Sequence, residues 1–185
     1  MTPRKLVPVI TLLTLLAGCQ SSLSAADESN TSATARVAPT PCAGNFAQRA
    51  GTLTLANTKV PTDINDNKDN PLYFANKINV SKPLLELARL SHLENGWSSF
   101  ALSIQSQGAK TISVHISKAT LPSGTEIWLC APDGLQNEGP YSNAIGGDVW
   151  TPVVAGDVVW LDVLVPTAKE TAFKATLAEV FGGFR

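Results

Sequence analysis

The chain of 185 residues is poor in the residues that most site chemistries need. It holds two histidines, three cysteines, one methionine and two tyrosines. A Ser-His-Asp hydrolase requires a histidine base aligned with its nucleophile. His92 lies beside a turn and His115 sits on the polar side of an alternating segment, so both read as ordinary surface residues. No serine is enclosed by Gly-Asp-Ser-Gly or Gly-x-Ser-x-Gly, the settings that present a catalytic serine. An excess of charge of one sign is lacking as well. Lys and Arg number 14 against 15 Asp and Glu, and no basic cluster stands out, which argues against a nucleic-acid partner. Helical patterning is scarce. The one sustained apolar run, Leu6 to Leu16, is far shorter than the roughly 20 residues a helix needs to cross a bilayer. These absences predict a non-enzymatic chain with no cofactor and no metal.

What is present begins at the amino terminus. Arg4 and Lys5 precede the apolar run, which ends in the small residues Ala17 and Gly18, the layout of a secretory signal. Leu16-Ala17-Gly18-Cys19 resembles the lipobox of bacterial lipoproteins. The resemblance implies that residues 1–18 are a lipoprotein signal peptide and that Cys19 is acylated to become the mature amino terminus. The first partner is then the membrane, reached through palmitate-like chains at about 0.8 kcal/mol per buried methylene. Gln20 in place of aspartate implies the outer membrane of a two-membrane bacterium. Residues 19–41 are rich in Ser, Ala, Thr, Asn and Pro with almost no large apolar side chain, so they read as a flexible tether. Residues 42–185 suit one domain with one core.

With Cys19 assigned to lipid, Cys42 and Cys130 remain as a pair. In an exported protein they are expected to form a disulfide that ties the start of the domain to a central strand; two buried thiols are the alternative.

From Leu53 onward short apolar runs are broken by turn residues, which predicts an all-β fold: an antiparallel β-sandwich or jelly-roll-like single domain of roughly eight strands. Asn95-Gly96 suits a two-residue type I′ hairpin turn. Leu85 to Leu90 is read as the strand before it, with a helix over Pro83 to Leu93 as the rival. After the turn, Phe100, Leu102 and Ile104 share one face. In Thr111 to Ser117, Ile112, Val114 and Ile116 face inward, opposite Ser113, His115 and Ser117. Leu121-Pro122-Ser123-Gly124 and Pro132-Asp133-Gly134 are turns. Ile127–Cys130, Asp148–Thr151, Val158–Val165 and Phe173–Val180 are further strands.

The strings Trp97-Ser98-Ser99-Phe100-Ala101-Leu102-Ser103-Ile104, Ser106 to Ala109, Leu121-Pro122-Ser123-Gly124, Gly139-Pro140-Tyr141 and Trp150-Thr151-Pro152-Val153-Val154-Ala155-Gly156-Asp157 carry a family likeness. They resemble the amino-terminal pro-region of bacterial lysyl-endopeptidase-like trypsin-family serine proteases. The likeness runs from about Leu85 to Arg185, and Phe181-Gly182-Gly183-Phe184-Arg185 looks like the junction before the protease. It implies a pro-region-like domain without the protease domain, so proteolysis is not carried over. A chaperone or inhibitor of a separately encoded, secreted serine protease follows as the leading expectation.

Two other features stand apart from this likeness. Asp63 to Asp69 alternates oxygen-bearing residues as calcium loops do, but Lys68 stands where glycine is needed and Phe74 where glutamate is needed, so a solvated loop is expected. Pro140, Tyr141, Trp150 and Pro152 form a candidate binding patch. Core packing competes for Trp150, and Trp128 and Trp160 are expected to be buried. If the patch is real, a carbohydrate-binding or adhesion module is the second reading of the chain. A truncated remnant of a protease precursor is the third.

Overall fold

The computed structural model describes residues 37–56 and 74–184. The expected signal segment 1–18, Cys19 and Asp63 to Asp69 lie outside these residues. The described residues form eleven strands in two sheets. The six-stranded sheet holds β1 (Gly51–Leu55), β3 (Arg89–His92), β4 (Trp97–Ser106), β6 (Glu126–Cys130), β7 (Asn137–Tyr141) and β10 (Val158–Pro166). The five-stranded sheet holds β2 (Ala75–Pro83), β5 (Thr111–Thr120), β8 (Val149–Trp150), β9 (Val154–Ala155) and β11 (Lys174–Gly183).

Period-two alternation explains the layering. Phe100, Leu102 and Ile104 of β4, Ile112, Val114 and Ile116 of β5, and Val159, Leu161 and Val163 of β10 are buried in one core cluster. Each such side chain contributes about 1.5–3 kcal/mol by leaving water, and the inner faces close on one another as a sandwich. The all-β expectation holds. One pair departs from purely antiparallel order: β1 runs parallel to β4, in register from Gly51↔Leu102 to Leu55↔Ser106. The chain visits β2 in the other sheet between them, and such a crossover lets two strands run the same way.

The segment before the first hairpin follows neither sequence reading fully. Pro83 ends β2 and caps a single helical turn, α1 (Leu84–Leu87), which buries Leu84; the chain is extended again at Ala88 and enters β3. Gly51 meets the end of that turn so closely that a Cβ there would clash with the Leu87 carbonyl. The hairpin itself forms, with Asn95 at φ 60° and Gly96 at φ 78°. Its loop is longer than the expected two residues, because the pair closing it is Leu93 N–H to Trp97 C=O at 2.7 Å. Glu94 is thereby drawn into the loop.

The outer face of the six-stranded sheet is covered. Cys42 to Arg49 lies across it and ends in a helical turn over Phe46–Arg49. Phe46 is fully buried and stacks on Trp160 at 4.9 Å, while the Arg49 guanidinium sits 4.7 Å over the Phe46 ring. Beneath this cover the buried Asp162 carboxylate takes Arg49 Nη2 at 3.0 Å, the Cys42 N–H at 2.9 Å and the Ser99 hydroxyl at 2.5 Å. Arg49 also donates to Ser99. The Cys42–Cys130 disulfide is formed and fastens the cover to β6.

Candidate functional site

The outer face of the five-stranded sheet carries a different arrangement. Trp150 alternates with the buried Val149, so it projects outward and is 57% exposed. This corrects the expectation of core packing. Trp128 and Trp160 are half-buried for the same reason: each alternates with inward aliphatic neighbours. Trp128 donates its indole N–H to Glu126 Oε2 at 3.0 Å, and Trp160 is roofed by Phe46.

Strand register brings partners to Trp150. His115 of β5 pairs with Trp150 across the sheet, and on its other side with Glu179 of β11. The imidazole and indole lie face to face, 3.7 Å between centroids and 8° from parallel, with Phe181 tilted at 5.9 Å. The backbone of Thr151 is fastened to β5 by its N–H to the Val114 carbonyl at 3.1 Å, and its hydroxyl accepts from the Val114 N–H at 2.9 Å. Trp150 is therefore held from its own strand and from the ring beneath it.

His115 is gripped at both ends. Its Nε2 meets Asp148 Oδ1 at 2.8 Å and its Nδ1 meets Glu179 Oε2 at 3.2 Å, with the side chain only 14% exposed. Each ring nitrogen thus faces a carboxylate of a different strand segment. Lys77 Nζ lies 3.0 Å from Glu179 Oε1. That ammonium, with the His115 hydrogen bond, holds the Glu179 carboxyl below the usual carboxylate range, and burial opposes the effect. The result is a row across three strands and the short β8: Lys77, Glu179, His115 and Trp150, with Asp148 closing the end.

The remaining candidate residues are divided between the sheets. Pro140 and Tyr141 are on β7 of the six-stranded sheet; Tyr141 packs against the core, and burial, then Glu138, raises its hydroxyl pKa above the ordinary value. Pro152 is exposed beyond β8. The Gln136 side chain links the two regions, bonding the Val153 carbonyl at 2.9 Å and the Ala155 N–H at 3.1 Å. The rings in contact with Trp150 are those of His115 and Phe181, which the sequence reading did not group with it. His92 is exposed and its Nε2 lies 3.0 Å from Glu170 Oε2, the same oxygen that accepts from Ser98 at 2.7 Å. A carboxylate stands where a serine relay would need the imidazole.

Among the described residues no group of three or more His, Cys, Asp or Glu is placed to hold a metal, and no helix is long and apolar enough to cross a membrane. Compared with protein-family models, with curated proteins and with solved structures, the chain finds no match.

Proposed function

We propose that this chain is a non-enzymatic envelope lipoprotein, fixed to the outer membrane through Cys19, whose sandwich is a binding domain. The single observation that carries the reading is Trp150. A large aromatic ring that is more than half exposed, yet held by strand pairing and stacked on a gripped imidazole, is a rigid anchor of the kind that concentrates binding energy. The disulfide accords with export into an oxidising compartment. The family likeness supplies the partner: a separately encoded serine protease of the envelope, which the domain chaperones or inhibits.

The test is recovery of the partner from envelope extracts by the wild-type chain and by Trp150→Ala. Capture of a protease that is lost in the variant, together with impaired protease maturation when the gene is deleted, supports the proposal. Recovery of no protease and normal maturation end it. Metabolic palmitate labelling that disappears in Cys19→Ala tests the anchor separately.

One observation favours a second reading, a carbohydrate-binding module. The indole is a flat exposed platform, and Asp148 lies on the same outer face to accept sugar hydroxyls. Glycan-array binding that Trp150→Ala removes, with the fold intact, selects this reading over the first.

A further inference from the structure

A second surface, at the β3 edge of the sandwich, plays no part in the Trp150 site. Among the described strands β3 is bonded only to β4. Leu93 donates to the Trp97 carbonyl in the register that continues through His92↔Ser98 and Leu90↔Phe100. Bonded and non-bonded pairs alternate along an antiparallel ladder, so the N–H and C=O of Leu90 and His92 point away from β4. These outward groups are what an incoming strand pairs with.

Beside this edge opens a groove of about 390 Å³, walled by Leu85, Ala88, Leu90, Phe100 and Phe173, with Glu170 in its lining. Leu85 and Leu90 are 47% and 40% exposed. Glu170 uses Oε2 for both His92 and Ser98, and its Oε1 takes part in neither contact. An apolar trough that contains one carboxylate complements a side chain with an aliphatic stem and a cationic head.

We propose that this edge takes an extended peptide segment of the partner protein as an added strand, with a lysine or arginine side chain seated in the groove against Glu170. The geometry couples the two elements. Side chains of a strand laid on β3 alternate, and those on the inner side enter the gap where Leu90 and Phe100 already lie. Main-chain bonds to positions 90 and 92 give affinity, and the groove selects the side chain. The inference rests on the reading of the chain as a protein-binding domain, but it does not rest on Trp150.

The test uses the full chain and short fluorescent peptides that alternate threonine with lysine or threonine with glutamate, followed by anisotropy. The lysine peptide is expected to bind and the glutamate peptide not. Glu170→Gln, which can still accept from Ser98, is expected to weaken binding about tenfold. Leu90→Pro removes an N–H that β4 does not use and is expected to abolish binding while the circular dichroism stays unchanged. If that variant fails to fold, Glu170→Gln decides alone. Trp150→Ala is expected to leave peptide binding intact. Equal binding of both peptides, binding untouched by Glu170→Gln, or no binding to wild type overturns the proposal. Any of these, with partner capture still lost in Trp150→Ala, leaves the Trp150 reading standing.

Discussion

The two sheets turn their outer faces to different uses. On the six-stranded sheet the outward Asp162, Ser99 and Trp160 are sealed under Cys42 to Arg49, and the Asp162 carboxylate is taken up by Arg49, Ser99 and the Cys42 N–H. On the five-stranded sheet the outward His115 and Glu179 are likewise paired, but the ring they support, Trp150, faces solvent. The same device of buried or half-buried charge holding an aromatic thus serves closure on one side and display on the other. The difference is whether another stretch of the chain lies on top.

Mutations can break this contrast or sharpen it. The largest effect is expected from cutting the fastening of the covered face. Replacing Cys42 and Cys130 by serine frees a loop whose ends are separated by 88 residues, and loop-entropy reasoning puts the loss at about 4–5 kcal/mol in denaturant unfolding. Asp162→Ala comes next, at about 3 kcal/mol, because Arg49 and the Cys42 N–H lose their common acceptor. Neither change is expected to alter ligand affinity of the folded fraction. Trp150→Ala should do the reverse. Binding falls by about 2 kcal/mol as expected of a central anchor, while stability falls by less than about 1 kcal/mol, the stacking with His115 being the main loss. If Trp150→Ala proves as destabilising as Asp162→Ala, the open face is structural and the contrast fails.

The smallest effect concerns pH. The folded-state pKa of Glu179 is lowered, so its contribution to stability is present above the unfolded value of about 4.3 and is lost as pH falls through the folded value. Glu179→Gln removes that contribution. The stability gap between wild type and variant should hold at neutral pH and narrow below about 4.3 in acid unfolding. A gap unchanged across that range would show that Lys77 and His115 do not bias Glu179.

Strand parity was the most legible part of the sequence. The inward sets at Phe100 to Ile104 and Ile112 to Ile116 follow from alternation alone, and the same rule applied strictly to Val149-Trp150, Ile127-Trp128 and Val159-Trp160 would have turned all three tryptophans outward. The expectation that these tryptophans are core residues runs against that alternation. Register was not legible. Asp148, His115 and Glu179 are scattered along the chain and meet only because β8, β5 and β11 are neighbours, which no local pattern encodes. Glu170 likewise reaches the hairpin pair His92 and Ser98 from a distant part of the chain. The cover over Asp162 is a third case: an aspartate at an outward strand position reads as solvated until a remote phenylalanine and arginine are laid across it.

The disulfide has a mechanical side. Among the described residues Cys42 begins the stretch that covers the sheet, and its bond runs directly to β6, which is flanked by β10 and β7. A pull arriving along the residues ahead of Cys42 is therefore handed through a covalent link to a strand bonded on both sides, instead of peeling away the short Phe46–Arg49 turn. The load enters through the six-stranded sheet, not through the five-stranded one that carries the exposed ring.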